Sequence, residues 1–342
     1  MNPTLSSKVY MGNGLLGKLP KLLKEKVPAY RYALITDSTV KDLYGDALLQ
    51  TLKKAGLKVE LFSFPAGEAS KNEATKQRLD HALLKKNYGR DTVILALGGG
   101  VVGDMAGFVA ATYLRGIPYV QIPTTVLSMV DSSIGGKVGV DTPFGKNMIG
   151  AFWHPTLIVA DLDTLKTLPK KEVVNGWFEA LKMFITLDEA TYLKAKKGIN
   201  FPLLKRAMQL KIQVTEKDER ESGLRCILNF GHSIGHALEK LSHYSLPHGF
   251  AVALGMLVEA RVSVELGYLK DADWKDFSAV LKKLGVNPKD LKSYDSKAVW
   301  EALQNDKKNR NGEINFVLLK SLNITHPVSK EVFQKAYLAV TD

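Results

Sequence analysis

The run Thr92-Val93-Ile94-Leu95-Ala96-Leu97 passes without a spacer into Gly98-Gly99-Gly100-Val101-Val102-Gly103-Asp104. No other feature constrains the fold as strongly. A short aliphatic run closed by glycines reads as a buried strand, being too short for a buried helix. Glycines where a strand meets a helix let the backbone approach a ligand, and the helix N-terminus favours an anion such as a pyrophosphate. The spacing is not the usual Gly-x-Gly-x-x-Gly of a dinucleotide fold. Alone, the motif is equally a tight turn that needs positive φ.

The pattern recurs along the first half of the chain. Arg31-Tyr32-Ala33-Leu34-Ile35-Thr36 ends in Asp37-Ser38-Thr39, a turn and helix-cap signal, and Tyr119–Pro123 and Leu157–Asp161 are further apolar runs. Helical stretches over residues 41–56 and 72–87 lie between them. Such alternation predicts a largely parallel sheet with helices on its faces, an α/β domain over residues 1–168. After Leu168-Pro169 helical periodicity dominates, with Leu181, Leu203, Leu210, Val252, Leu257 and Leu281 in amphipathic settings. Residues 169–342 therefore read as a mainly α-helical domain with one late strand, Ile314–Leu319. A hinge is expected near residue 168, with the active site in the cleft between the domains.

Four of the seven histidines fall within residues 232–248, and His232 and His236 are four apart. On a continuous helix running through Ile227, Leu228, Ile234 and Leu238 the two would share a face. Imidazoles presented that way suit a zinc-type ion, although packed core histidines would give the same spacing. The nearby Arg225, Asn229 and His248 favour a metal, because a structural helix has no need of so many polar groups. Glu179 and Lys182 stand three apart on an apolar helix, in Gly176-Trp177-Phe178-Glu179-Ala180-Leu181-Lys182. Exposed, they would be an ordinary i,i+3 ion pair; buried, the charge needs a partner, and a metal would be one. Asp131-Ser132-Ser133-Ile134-Gly135-Gly136-Lys137, Gly145-Lys146-Asn147 and Thr124-Thr125 place polar groups among small residues, as a small polar ligand requires.

The net charge of +12 could signal nucleic acid, anionic lipid or a phosphorylated substrate. Lysines occur as scattered pairs, such as Lys53-Lys54 and Lys307-Lys308, and neither zinc-finger spacing nor an aromatic–basic RNA signature is present. The expectation is no nucleic acid. No apolar run approaches the roughly 20 residues of a membrane span, so no membrane partner is expected either. The N-terminus lacks the pattern of a secretory signal, and a single cysteine excludes an internal disulfide. A cytoplasmic location follows as an expectation.

Taken in order, Pro65-Ala66-Gly67-Glu68-x-x-Lys71, the glycine-rich turn ending in Asp104, Asp131 to Lys137, Gly145-Lys146-Asn147, Glu179, Asp218-Glu219-Arg220-Glu221 and the histidine segment resemble the 3-dehydroquinate synthases of the sugar-phosphate cyclase family. The resemblance is collinear from about Asp37 to Leu318. It implies a carbon–oxygen lyase of the shikimate pathway and aromatic amino acid biosynthesis, using NAD and a divalent metal (Zn2+, with Co2+ able to substitute), usually as a homodimer. The substrate would be a phosphorylated sugar acid, 3-deoxy-D-arabino-heptulosonate 7-phosphate, and the products 3-dehydroquinate and phosphate. The reaction so implied runs through transient oxidation of an alcohol, phosphate elimination, re-reduction, ring opening and intramolecular aldol closure.

Carried over by motif, the resemblance makes Glu179, His232 and His248 the metal ligands. His236 is then a proton-handling residue at the substrate's phosphate end, contrary to the simplest reading of the His-x3-His pair. NAD would contact Asp37, Glu68, Lys71, Gly99, Gly100, Val101, Asp104, Thr124, Thr125, Lys146, Thr164 and Thr167. Substrate would contact Asp131, Lys137, Asn147, Lys211, Arg225, Asn229, His236 and Lys308, with Arg115 reaching across from a second subunit. The catalytic set implied is His236, Glu221, Lys137, Lys182, Arg225 and Asn229. One departure is visible: the family commonly has a small residue before the ligating glutamate, where this chain has Trp177-Phe178. Another sugar-phosphate cyclase, or a metal-dependent polyol or glycerol-type dehydrogenase, are the alternatives. A dehydrogenase would have no need of the phosphate-end set Lys137, Asn147, Arg225 and Lys308.

Overall fold

A computed structural model describes residues 7–304, 314–320 and 325–341. The chain divides into two compact units, Met1–Val173 and Val174–Asp342. The first is built on strands β1 (Lys8–Gly12), β2 (Arg31–Asp37), β3 (Val59–Phe64), β4 (Thr92–Gly98), β5 (Tyr119–Pro123), β6 (Lys137–Thr142), β7 (Gly145–Phe152) and β8 (Leu157–Asp161). Six of these form one sheet in the order β1-β8-β5-β4-β2-β3, and every pairing in it is parallel. β4 is buried at every residue, as a strand covered on both faces must be.

Helices α1 (Leu15–Lys26), α2 (Ser38–Val40), α3 (Asp46–Lys54), α4 (Glu73–Lys85) and α5 (Gly100–Thr112) connect the strands. Side chains alternate along each strand, so the sheet carries two cores. Leu34, Leu95 and Val120 meet Leu19 and Leu23 of α1 and Leu48 and Leu52 of α3 on one face. Ala33, Ile35, Ile94 and Ala96 meet Leu79 and Leu83 of α4 and Val102, Met105 and Ala106 of α5 on the other. The connection leaving β2 runs to β3, whereas that leaving β4 runs to β5, on the opposite side. The order therefore reverses between β2 and β4, and the carboxyl ends of those strands flank a topological switch point, where open α/β sheets bind ligands. Asp37 and the Gly98–Gly100 turn stand there.

Two short polar side chains start helices as their types predict. Asp37 accepts from Val40 N at 2.8 Å, and Asn72 accepts from Thr75 N at 2.9 Å; each such cap contributes about 1 kcal/mol. The helix expected over 41–56 is in fact α2, a π-helical turn Lys41–Gly45 and α3 in succession.

The second unit is mainly helical: α6 (Lys170–Leu187, which contains the boundary), α7 (Glu189–Ala195), α8 (Leu204–Lys217), α9 (His232–Leu241), α10 (His248–Glu265), α11 (Asp271–Lys283), α12 (Ser296–Gln304) and α13 (Lys330–Thr341). The late strand is shorter than its apolar run: β9 covers Asn315–Val317 and pairs antiparallel with β10 (Thr325–Pro327). The helix expected to run continuously from Arg225 through His236 is broken. A 3-10 helix covers Leu224–Asn229, Gly231 takes the left-handed conformation (φ 78°), and α9 starts only at His232. Helical spacing therefore does not relate Arg225 to His232. Among the described residues no helix is long and apolar enough to cross a membrane.

Candidate active site

Two polar constellations stand out, one in each unit. In the first, Lys71 is almost fully buried at the end of a 3-10 turn (Glu68–Ser70). Its ammonium lies 2.6 Å from Asp104 Oδ2 on α5 and donates to Asn147 Oδ1 at 2.5 Å. Burial alone would push Lys71 down, but the carboxylates of Asp104, Glu68 and Asp141 more than reverse this and hold it above its usual value. Asp104 moves upward, because burial outweighs the attraction of Lys71. Asn147 sits at φ 53°, its N–H donated to Asp141 Oδ1 at 2.7 Å, and Lys146 Nζ lies 3.4 Å from Glu68 Oε1. The expected nucleotide contacts Glu68, Lys71, Asp104 and Lys146 are thus brought together, with Asn147 among them.

The remaining expected nucleotide residues lie at or just after strand ends of the same sheet. Gly99 caps α5, and a Cβ on it would meet the Thr125 side chain at 3.2 Å. Gly100 and Val101 form the first turn of α5. Thr124 donates its N–H to Gly98 O at 2.9 Å. Tyr44, unremarked in the sequence, donates its hydroxyl to Thr164 O at 3.0 Å and makes a very short contact with Thr167 Oγ1. Asp131 lies in a π-helical turn, Ser128–Ser132, and Lys137 is exposed at the start of β6. Arg115 is exposed in a turn where Leu114, Arg115 and Gly116 all hold positive φ (50°, 71° and 115°).

The second constellation comes from three helices. α6 turns Asn175, Glu179 and Lys182 to one face, by their i, i+4, i+7 spacing, and α9 does the same with His232, His236 and Glu239. α10 contributes His248 at its first residue. Glu179 is completely buried, and its Oε2 is taken by Lys182 Nζ, itself 1% exposed. Its Oε1 has no hydrogen-bond partner. That oxygen lies 3.5 Å from His232 Nε2 and 3.6 Å from His248 Nε2. The two ring nitrogens converge on it, and all three ligand atoms fall within 4.8 Å of one another.

The outer ring nitrogens also have acceptors beside them. His232 Nδ1 lies 3.3 Å from Phe230 O, and His248 Nδ1 lies 3.3 Å from Glu239 Oε2. A proton on each Nδ1 leaves the Nε2 lone pairs facing Glu179, as metal coordination demands. A buried carboxylate oxygen without a donor is costly unless a cation occupies the gap. The donor set, two imidazoles and a carboxylate, fits a zinc-type ion with an open position. Burial pushes His248 down, but its hydrogen bond to Glu239 and the charges of Glu239 and Glu179 raise it overall.

The remaining sequence candidates cluster nearby in the chain. Arg225 is buried, its guanidinium donating to Glu219 O and its N–H to Asp218 Oδ2 at 2.9 Å. Hydrogen bonds from the Ser222, Arg225 and Gly223 N–H groups hold Asp218 well below the usual carboxylate range. Asn229 donates to Glu221 Oε1 at 2.6 Å, and Glu221 adopts φ 61°. Lys211 is buried on α8. Lys307 and Lys308 lie outside the described residues. The bulky pair beside Glu179 is absorbed by packing: Trp177 and Phe178 are fully buried, edge-to-face with Phe184 and Phe250 at 6.2 and 5.2 Å.

Several positioning residues carried no motif. Asn175 Oδ1 accepts from Gly249 N at 2.7 Å, tying α10's first turn to α6. Buried Glu259 accepts from Gly231 N at 2.7 Å, fixing the residue before His232. Their signal was a polar residue recurring on an otherwise apolar helical face. α9 and α10 touch backbone to backbone: a Cβ on Gly255 would lie 2.1 Å from Gly231 O and 2.9 Å from Gly235 N. Gly255→Ala is therefore expected to force the two helices apart. A stability loss of about 1–3 kcal/mol or more should appear in thermal unfolding of the metal-free protein.

The family profile for the N-terminal region of 3-dehydroquinate synthase matches residues 61–175, and that for the C-terminal region matches residues 176–309. The 3-dehydroquinate synthase of Thermodesulfovibrio yellowstonii is 38% identical, over 96% of each chain. The chain belongs to the 3-dehydroquinate synthase family. The 3-dehydroquinate synthase of Pelobacter propionicus is 42% identical over 91% of this chain and 90% of its own. Among solved structures, the 2-epi-5-epi-valiolone synthase of Streptomyces hygroscopicus, with NAD+ and Zn2+ bound, superposes with a TM-score of 0.87 at 27% identity, over 98% and 96% of the two chains. The family thus includes both constellations within its matched length.

Proposed function

We propose that this chain is a 3-dehydroquinate synthase that converts 3-deoxy-D-arabino-heptulosonate 7-phosphate to 3-dehydroquinate and phosphate. Family membership supports the reaction, and one observation in the site carries the metal: the unpartnered buried oxygen of Glu179 faced by two imidazole Nε2 atoms. Glu179, His232 and His248 would hold a zinc-type ion, which when bound supplies a Lewis acid for a substrate alcohol oxygen. The carboxyl ends of β2, β4 and β5, with Glu68, Lys71, Asp104 and Lys146, would hold NAD, which when bound accepts a hydride and returns it within one turnover.

The chain's own groups then bind, orient and move protons. Lys182 fixes Glu179 in a one-oxygen presentation. Lys137, Arg225 and Lys308 supply cationic contacts for the phosphate, Arg225 with a planar fork suited to two oxygens. His236 is the proton-handling group at that end. The Glu221–Asn229 hydrogen bond orients an amide and a carboxylate toward substrate. Asp131, Asn147 and Lys211 complete the polar set.

The finer reading includes a cytoplasmic homodimer in which Arg115 serves the second subunit's site. Its exposure supports that, as does the apolar strip of Phe144 (90% exposed), Met148, Ile149 and Phe152 on the β6–β7 hairpin. The test mixes purified protein, NAD, zinc and the heptulosonate phosphate. Phosphate and a carbocycle should form with NAD required but with no net NADH. Stoichiometric NADH would instead identify a dehydrogenase, and a different carbocycle another cyclase.

A further inference from the structure

We propose that Glu239 is a positioning residue for the metal, holding His248 through its outer nitrogen. The inference rests on the metal reading above and deepens it by assigning a residue beyond the three ligands. Glu239 is 3% exposed on α9, and its Oε2 lies 3.3 Å from His248 Nδ1 while the same ring's Nε2 faces Glu179 Oε1 at 3.6 Å. The imidazole is thus spanned by two buried carboxylates, one at each nitrogen. A carboxylate accepting the Nδ1 proton fixes the tautomer, stops the ring from rotating and makes Nε2 a stronger electron-pair donor.

The two histidines are not supported alike. His232 Nδ1 faces a neutral carbonyl, Phe230 O, whereas His248 Nδ1 faces a charge. His248 also has less enclosure, being 30% exposed against 12% for His232. Both histidines are the first residues of their helices, so each is held by helix on one side only, and for the more exposed His248 a side chain from α9 completes the seat. Glu239 lies seven residues after His232, on the same face of α9, and therefore reaches across to the neighbouring helix's first turn.

The same three groups could be read as a second cation site, since His236, Glu239 and His248 also bring ligand atoms within 4.8 Å of one another. The hydrogen-bond distance between Glu239 and His248 favours positioning over a second ion. The experiment measures zinc affinity by competition with a chromophoric chelator, and zinc content per chain, with no substrate present. The proteins are wild type, E239A, E239Q, H232A, H248A and the H248A/E239A double variant.

Wild type should bind one zinc, and H232A and H248A should each bind it far more weakly, with a residual affinity still readable by competition; wild-type affinity in either sinks the metal reading itself. With that reading intact, E239A should weaken zinc binding by roughly 10- to 100-fold. E239Q, which keeps the acceptor but not the charge, should fall between. In the H248A background, E239A should change affinity by less than about threefold, because its only route to the metal is gone. Equal losses in both backgrounds, or wild-type affinity in E239A, overturn the assignment. Two zinc ions in wild type and one in E239A overturn it in favour of a second site. Should E239A fail to fold, the isosteric E239Q and its H248A double variant decide the matter alone.

Discussion

Glu179→Ala should abolish metal binding, cut turnover by roughly a thousandfold and lower the stability of the metal-free fold. The catalytic loss follows from removing a Lewis acid worth several kcal/mol, at about 1.4 kcal/mol per decade of rate. The stability loss has a different origin. Lys182 is 1% exposed and its ammonium is paired with Glu179. Breaking a buried pair by deleting one partner leaves an uncompensated charge, at a cost of about 3–5 kcal/mol. The two effects separate in the double variant Glu179→Gln with Lys182→Met, which should recover thermal stability but not zinc. His236→Ala provides the contrast: zinc retained, activity lost. Equal zinc loss in His236→Ala and His232→Ala would make His236 a ligand and reverse the assignment.

Arg225→Lys should lower kcat/KM roughly ten- to a hundredfold, although the charge is kept. Arg225 is buried and its guanidinium is held by Glu219 O. A guanidinium is a planar fork with its N–H donors in fixed geometry, whereas an ammonium offers a point charge on a flexible stem. Losing a charge-assisted hydrogen bond costs about 1.5–3 kcal/mol, which sets the expected range. Steady-state kinetics on the purified variant check it. An unchanged kcat/KM would remove Arg225 from substrate contact and leave it as a strut of the Asp218–Arg225 turn.

The sequence was legible where burial left a mark on composition. β4, buried at every position, read as a continuous apolar run into glycine, and β2, β5 and β8 did the same at lower contrast. β1, β3 and the β6–β7 hairpin went unread, since edge strands and exposed hairpins mix polar and apolar residues without a clean period. Residue types gave the site's members but not their connections. That Glu179 and Lys182 would pair was readable from their spacing; that Lys71 would bind Asp104 and Asn147 was not, because those contacts join segments far apart in the chain. The break at Gly231 was hidden for another reason: its flanks are apolar enough to continue a helix, yet the segment before it is a 3-10 helix, Phe230 is extended in ψ, and the left-handed Gly231 is held by Glu259.

The glycine contact between α9 and α10 sets a standard of length. Gly255 meets Gly231 O, and Gly235 meets the backbone of Val252, with no side chain between. His232 and His248 ride on those two helices, so their separation is gauged by main-chain atoms that no substitution of neighbouring side chains can lengthen. Aliphatic residues around the pair are then free to drift in size over evolutionary time, or to be redesigned for stability, while the histidines keep their spacing. The glycines themselves are the part that cannot drift.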